Sequence, residues 1–380
     1  MSQFKVITLV GTRPELIKLS LTIAELDRTV EHVLVHTGQN HDFELNEIFF
    51  RDLGIRKPDH FLNAARPTAA ATIARVIELF DEVLEREKPD AMLLLGDTNS
   101  CLGVIAAKRR KVPIFHMEAG NRCFDDRVPE EINRRIVDHT SDVNLPYTEH
   151  ARRYLIAEGL PANRTIKTGS PMKEILKHFR SQIDASRALE SHDLKRGQYF
   201  LVSAHREENV DSPERLRALL EALNAAADKY QAPVLFSTHP RTRLRLDTLE
   251  GIEVAPSIQF VKPLGFIDYV RLQIDARCVI SDSGTLTEES AILGFPAIMI
   301  RESHERPEGM DEGTVVMTDL RFDALARAID LVCRHADVPR RIPPDYLAED
   351  VSRKVVRLIL SYTDFVNRTV WSKGATQLVS

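Results

Sequence analysis

Short apolar runs rich in Val, Ile and Leu alternate along this chain with longer segments of helical periodicity. In the first half, helical patterns follow the runs KVITLV, AMLLLG and VPIFHM. Short continuous apolar runs separated by helices are typical of parallel sheets covered on both faces. The alternation begins again at Tyr199 with QYFLVSA and continues through APVLFS, RCVISDS and PAIMI. We therefore predict an α/β fold with two Rossmann-like, doubly wound domains.

The length of the chain also favours two domains. With 380 residues it exceeds the size at which a single hydrophobic core usually stops growing. The pattern is interrupted by TGSPM and a polar stretch that ends at LESHDLKRG. We expect an N-terminal domain over residues 1–170, joined by a C-terminal helix at 355–380, and a C-terminal domain over residues 171–354. The polar tail at 373–380 is expected to fray.

Composition excludes several classes of partner. A net charge of -5 argues against nucleic acid, whose binders carry an excess of Lys and Arg. No apolar run approaches the roughly 20 residues of a membrane span, and the N-terminus enters a strand pattern without a cleavable signal peptide. We expect a cytoplasmic protein with no nucleic-acid or membrane partner.

Cysteine and histidine spacing gives no sign of a disulfide framework or a metal site. The four cysteines are far apart and form no CxxC pair, so we interpret them as reduced thiols: Cys101, Cys123, Cys278 and Cys333. His116 and Glu118 resemble a metal pair, but no third ligand stands at a suitable spacing. We expect no metal.

The segment GTRPE follows the first predicted strand. In open α/β sheets, ligands bind where the strands end and the helices begin. Pro14 suits a first helical turn, Glu15 complements its positive end, and Arg13 can reach a uracil or a phosphate. A well-capped helix start with a solvated Arg13 is the alternative. Because GTRPE is not GxGxxG, it gives no support for a nicotinamide cofactor.

The segment SDSGTLTEE at residues 281–289 follows another predicted strand and opens a helix. Small residues with available N–H groups at a helix start form an anion site that suits a pyrophosphate. Thr285 and Glu288 fit a capping box, which gives Glu288 a structural explanation. The capping box does not explain Glu289, and we expect this carboxylate to bind a ribose diol.

Acidic residues gather after strands of the first half. Asp97 stands in GDTNS, Glu118 in HMEAG, and Glu130 and Glu131 in VPEEINRR. Carboxylates in one cleft would repel one another, and the resulting separation of their pKa values suits proton transfer in both directions. Alternatively, Asp97 caps a helix and Glu130 or Glu131 complements a helix dipole.

Basic and imidazole side chains complete the candidate set: Lys18, Arg122, Arg134, Arg135, His205, His239 and Arg306. His205 and His239 follow strands of the second half, where we expect phosphates to bind. A lone histidine is more often a hydrogen-bonded structural residue, and we interpret His239 in that way.

Nine motifs stand in this order: GTRPE, TGQ, GDT, HMEAG, PEEINRR, SAHREEN, THPR, SDSG with EE, and ERPE. Together they resemble the non-hydrolysing UDP-N-acetylglucosamine 2-epimerase family over most of the chain. The resemblance implies a GT-B type fold with UDP in an interdomain cleft, a homodimer, and neither nicotinamide nor metal. It also implies that the C2 proton is removed while UDP leaves C1, that a 2-acetamidoglycal forms, and that UDP then adds back.

The resemblance also implies roles for individual residues. It assigns uracil and phosphate contacts to Arg13, Ser283 and Gly284, and a ribose contact to Glu289. The catalytic set that it implies is Lys18, Asp97, Glu118, Glu130 and His205. Further substrate contacts are expected from Arg122, Arg135, His239 and Arg306.

Some motifs depart from the commonest pattern of the family. SGTLTEE stands where SGGIQEE is usual, HMEAGNRCFDDRVPEE where HVEAGLRT is usual, and NHDFELNEIFF replaces the HREM-type segment of the activating site. These departures resemble the branch that converts UDP-2-acetamido-2,6-dideoxy-L-talose to UDP-N-acetyl-L-fucosamine for capsule or O-antigen synthesis. Three alternatives stay open: a UDP-N-acetylglucosamine 2-epimerase, a GT-B glycosyltransferase and a non-catalytic UDP-sugar sensor.

Overall fold

Two compact units make up the chain. The computed structural model describes residues 4–39, 50–249, 251–336, 338 and 341–373. The first unit comprises Met1–Ile175 and Leu347–Ser380, and the second comprises Leu176–Tyr346. Each unit holds a six-stranded parallel sheet, so the predicted α/β class with two parallel sheets is confirmed. The NHDFELNEIFF segment, apart from its last residue, and nearly all of the polar tail lie outside the described residues.

The first unit is built on strands in the order β3-β2-β1-β4-β5-β6. These strands are β1 (Lys5–Val10), β2 (Glu31–His36), β3 (His60–Phe61), β4 (Ala91–Leu95), β5 (Ile114–Met117) and β6 (Val143–Leu145). The helices up to the division between the units are α1 (Arg13–Thr29), α2 (Ala69–Glu87), α3 (Val104–Arg109), α4 (Pro129–Thr140), α5 (Glu149–Ala157) and α6 (Met172–His178), with 3-10 turns at Asn99–Gly103 and Ala162–Arg164.

The second unit repeats the design with the order β12-β11-β10-β7-β8-β9. Its strands are β7 (Phe200–Ser203), β8 (Val234–Ser237), β9 (Ile258–Val261), β10 (Cys278–Ser281), β11 (Ala297–Met299) and β12 (Val316–Met317). Its helices are α7 (Arg180–Ala185), α8 (Ala188–Ser191), α9 (Glu207–Val210), α10 (Pro213–Tyr230), α11 (Pro240–Asp247), α12 (Phe266–Asp275), α13 (Leu286–Leu293), α14 (Pro307–Asp311) and α15 (Phe322–Arg334), with a 3-10 turn at Pro344–Tyr346.

The last helix returns to the first unit. α16 (Val351–Thr369) packs against α1. Its buried positions, which include Val355, Val356 and Ile359, recur at helical spacing and form one apolar face. No helix in the described part of the chain is both long and apolar enough to cross a membrane.

Strand order reverses once in each sheet, and this reversal positions the candidate residues. In the first unit β1 pairs with both β2 and β4, and in the second β10 pairs with both β7 and β11. Chain connections leave the sheet in opposite directions at such a point, so a crevice opens at the carboxyl ends of the central strands. All five residues of β4 are buried, as expected for a central strand covered on both faces.

Candidate active site

A buried ion pair joins α1 to the end of β5. Lys18 is only 4% exposed, and its Nζ lies 2.5 Å from Oε2 of Glu118. Glu118 has a φ of 63°, a left-handed conformation that is costly for a residue other than glycine. Such strain persists only where neighbouring groups fix the backbone. The contact with Lys18 therefore holds the carboxylate of Glu118 in one orientation.

Asp97 follows β4 and is held by α4. Nε and Nη2 of Arg134 lie 3.0 and 2.8 Å from its Oδ2. Arg134 also reaches the buried Glu131 at 2.9 Å, and Glu131 accepts the backbone N–H of Cys123. Burial alone would raise the pKa of Glu131, but the Cys123 N–H and the Arg134 charge lower it overall. Asp97 thus has a fixed guanidinium partner at its strand end.

The two glutamates at the start of α4 differ in environment. Glu131 is buried and has the structural partners given above, whereas Glu130 is half-buried. The catalytic role of Glu130 stays a prediction. Arg135 is 44% exposed, with Nη2 3.1 Å from Glu131 Oε1, and its substrate contact stays a prediction.

The carboxylate of Glu15 caps the N-terminus of α1. It accepts the N–H of Gly11 at 2.5 Å, the N–H of Thr12 at 3.2 Å and the hydroxyl of Thr98 at 2.6 Å. Burial raises the pKa of Glu15 to about 7, although these hydrogen bonds oppose the change. Glu15 therefore links α1 to the loop that carries Asp97. Arg13, the first residue of α1, is half-buried beside this turn.

Arg122 has a different environment from the one predicted. Its guanidinium is fully buried, forms two hydrogen bonds with Glu158 at 2.8 and 2.6 Å, and donates to Asp138 at 2.7 Å. These ion pairs raise the pKa of Arg122 despite its burial, which opposes the rise. This placement favours a structural role over the predicted substrate contact.

In the second unit, His205 follows β7 and Asp282 follows the adjacent β10. Nδ1 of His205 lies 3.1 Å from Asp282 Oδ1, and the carboxylate also accepts the backbone N–H groups of His205 and Arg206 and the amide of Asn209. Burial alone would raise the pKa of Asp282, but the imidazole and these donors lower it to about 2. A carboxylate at Nδ1 orients the ring and directs Nε2 to a ligand. His205 is 37% exposed, which is compatible with that role.

The start of α13 is closely packed. Ser283 and Gly284 are half-buried, and a Cβ on Gly284 would stand 2.5 Å from Oε1 of Glu305. The predicted capping box is wrong, because Thr285 has helical backbone angles and makes no side-chain cap bond. Glu288 instead pairs with Arg306 at 2.9 Å, with both side chains buried. The ion pair gives Arg306 a structural partner, which favours that role over a ligand contact.

Glu289 lies next to this pair but has different neighbours. The amide of Gln273, which is fully buried, donates to Oε2 of Glu289 at 2.6 Å. Glu289 itself is 7% exposed. The predicted ribose contact remains a prediction, and Gln273 is the residue that orients this carboxylate.

His239 stands at the start of α11. Its Nδ1 accepts the N–H of Arg241 at 3.3 Å, and its ring centroid lies 5.9 Å from that of His205. The cap agrees with a structural histidine. All four cysteines are free, and no group of three or more His, Cys, Asp or Glu residues within the described ranges could hold a metal ion.

The sequence and the fold of this chain are similar to those of known proteins. The family model described as UDP-N-acetylglucosamine 2-epimerase matches residues 24–360. The chain belongs to this family. Its members are named as 2-epimerases, so the protein is an enzyme of the isomerase class.

Several members of the family are similar to this chain over nearly their whole length. The UDP-N-acetylglucosamine 2-epimerase of Methanocaldococcus jannaschii is 32% identical, covering 86% of this chain and 92% of that protein. The UDP-2,3-diacetamido-2,3-dideoxy-D-glucuronate 2-epimerase of Pseudomonas aeruginosa is 34% identical, covering 85% and 91%. A solved UDP-N-acetylglucosamine 2-epimerase from Rickettsia bellii is 53% identical with a TM-score of 0.91, covering 98% and 100%. A glycosyltransferase from Streptomyces nogalater, 11% identical with a TM-score of 0.53, covers 94% and 99% and shows a shared fold alone.

Proposed function

We propose that this enzyme inverts C2 of UDP-2-acetamido-2,6-dideoxy-L-talose and so forms UDP-N-acetyl-L-fucosamine. The observation that carries an epimerase function is the strained Glu118, whose carboxylate is fixed against buried Lys18 at one strand end. Asp97 is fixed against Arg134 at the end of the adjacent strand. Two oriented carboxylates at neighbouring strand ends suit a reaction that moves a proton from one face of a carbon to the other.

The reaction requires an elimination followed by an addition. A carboxylate takes the proton from C2, the C2–H electron pair becomes the C1–C2 double bond, and the C1–O bond breaks with its electrons on UDP. The resulting 2-acetamidoglycal then accepts a proton at the opposite face of C2 while UDP re-forms the bond to C1. Because no carbonyl acidifies this C–H bond, the departing UDP must be stabilised as the proton leaves.

Residues of the second unit have the chemistry for that stabilisation. Ser283 and Gly284 precede α13, where helix N–H groups favour an anion. His205, oriented by Asp282, can donate a hydrogen bond from Nε2 to a phosphate oxygen. These placements support a UDP leaving group.

The choice of sugar rests on sequence. SGTLTEE and HMEAGNRCFDDRVPEE depart from the usual motifs toward the fucosamine branch. Two relatives of nearly equal identity to this chain are named for different sugars, so overall identity does not select the substrate. UDP-N-acetylglucosamine, with UDP-N-acetylmannosamine as product, is the alternative that most relatives' names favour.

Competition between the two sugars tests the proposal. Equal concentrations of both UDP-sugars are incubated with the enzyme, and the products are separated by anion exchange and identified by NMR. We expect UDP-N-acetyl-L-fucosamine to form first, with the higher kcat/KM. Preferential formation of UDP-N-acetylmannosamine would overturn the substrate, and UDP release only when a sugar acceptor is added would indicate a glycosyltransferase.

We further propose that the enzyme works as a homodimer in the cytoplasm and supplies capsule or O-antigen synthesis. The resemblance of its motifs to the fucosamine branch supports this proposal. Light scattering of the purified protein is expected to give twice the chain mass of 43.0 kDa, and a monomer mass would contradict the dimer.

A further inference from the structure

A buried imidazole connects the two strand ends that carry Asp97 and Glu118. His116 lies in β5 and is fully buried. Its Nε2 is 2.8 Å from the carbonyl oxygen of Gly96, the residue before Asp97. Its Nδ1 is 2.9 Å from Oδ1 of Asp138 on α4. The ring therefore connects the loop after β4 to α4, the helix that follows the loop after β5.

Both groups that face the ring are hydrogen-bond acceptors. A backbone carbonyl only accepts hydrogen bonds, so Nε2 of His116 is the donor to Gly96. Nδ1 lies at ion-pair distance from the Asp138 carboxylate. Burial would raise the pKa of Asp138, but His116 and Arg122 lower it overall. Asp138 also pairs with Arg122, which in turn pairs with Glu158.

Asp138 extends the connection to the turn that holds Glu118. Both of its oxygens lie 3.2 Å from the backbone N–H of Gly120, and a Cβ on Gly120 would collide with the backbone of Ala151. The turn is thus fixed two residues beyond the strained Glu118, while His116 stands two residues before it.

We propose that His116 and Asp138 are positioning residues that set the separation of Asp97 and Glu118. Neither residue touches the substrate, and the inference rests on the proposed epimerase function. Through Gly96 on one side and Gly120 on the other, the His116–Asp138 pair holds both carboxylates in register for two successive proton transfers. A displacement of one carboxylate by about 1 Å would reduce the rate by about 100-fold.

This role differs from that of an ordinary core histidine in a measurable way. Elimination and re-addition use acids and bases on opposite faces of C2, so loss of register affects the two steps unequally. When re-addition becomes slow, the 2-acetamidoglycal and UDP escape before the second step. A purely structural histidine would change the amount of folded enzyme but not the ratio of released UDP to epimer.

The test compares His116→Phe and His116→Gln with the unmodified enzyme. We expect kcat to fall about 10- to 100-fold in His116→Phe, with little change in KM and a higher ratio of free UDP to epimer. Gln retains an amide NH₂ that can donate to one of the two neighbours of the ring and should give intermediate values. The control is His60→Phe, which removes another histidine–carboxylate pair of the first unit, that of His60 and Glu87 at 2.9 Å, and should leave kcat and the ratio unchanged.

A second measurement does not depend on activity. In ¹⁵N-histidine NMR spectra, the resonances absent from His116→Gln identify the ring, and we expect Nε2 to carry a proton because it faces the carbonyl oxygen of Gly96. An Nε2 without a proton, or wild-type kcat and product ratio in His116→Phe, would overturn the inference. If the unmodified enzyme fails to invert C2 of either UDP-sugar, the proposed function fails, whereas the NMR result still decides the hydrogen bond to Gly96.

Discussion

The buried carboxyl of Glu15 provides a prediction about stability. Its pKa is raised from 4.5 to about 7 by burial. The folded chain therefore binds this proton more tightly than the unfolded chain. Its contribution to stability is complete below pH 4.5 and is lost as the pH rises through 7. At about 1.4 kcal/mol for each pKa unit, the loss amounts to about 3 kcal/mol.

Replacing Glu15 by glutamine should remove this dependence. Gln has the same shape but stays uncharged, so its oxygen can accept from Gly11 and its amide can donate to the Thr98 hydroxyl. We expect Glu15→Gln to be more stable than the unmodified protein by only about 1 kcal/mol near pH 5 and by about 3 kcal/mol near pH 8.

Urea unfolding followed by tryptophan fluorescence measures the effect. Trp371 is the single tryptophan of the chain and belongs to the first unit, with its ring centroid 5.1 Å from Lys108 Nζ. Its emission therefore reports on the unit that contains Glu15. The control is Glu149→Gln, the same change at a 37% exposed position in the first turn of α5, where we expect less than about 0.5 kcal/mol at either pH. A stability difference between Glu15→Gln and the unmodified protein that does not change with pH would show that burial does not raise the pKa of Glu15.

Three further predictions concern ligand and substrate. Gly284→Ala should weaken UDP binding by calorimetry, because the new Cβ would stand 2.5 Å from Glu305 and displace it; unchanged affinity would contradict the close packing. Gln273→Leu should reduce the preference for UDP over 2′-deoxy-UDP, because it removes the 2.6 Å hydrogen bond that orients Glu289. An unchanged preference would indicate that Glu289 does not bind the ribose. Glu118→Gln should abolish C2 proton exchange while UDP still binds, and retained exchange would remove Glu118 from the base role.

The sheets and their strand ends could be predicted because the signal is local. AMLLL is apolar at every position and forms a central strand buried along its length. Its apolar run stops just before Asp97, and that of β5 stops just before Glu118, so both carboxylates could be assigned to strand ends from sequence alone. The structure shows that the two strands are adjacent.

The absence of a capping box at α13 could not be predicted, because the partner of Glu288 is a residue distant in the sequence. Thr285 and Glu288 have the right spacing, yet Glu288 pairs with Arg306, whose position depends on the tertiary fold. Arg122 presents the same difficulty. Its partners Asp138 and Glu158 come from later in the chain, and only the folded structure shows that they surround it.

The sequence contains a signal, overlooked above, that distinguishes Glu131 from Glu130 on α4. Glu131, Arg134 and Asp138 are separated by three and four positions, so they share a helix face with the buried Val137. Glu130 lies off that face. Helical phase alone would therefore have identified Glu131 as the buried carboxylate, and it would have drawn attention to Asp138.

Proton NMR in D₂O reports epimerisation and exchange of the C2 proton in one experiment. The enzyme, without added cofactor, is incubated with UDP-2-acetamido-2,6-dideoxy-L-talose and, separately, with UDP-N-acetylglucosamine. We expect deuterium at C2 of the talose derivative together with a new N-acetylfucosamine anomeric signal. Interconversion that leaves hydrogen at C2, or no interconversion of either sugar while UDP still binds, would contradict this expectation.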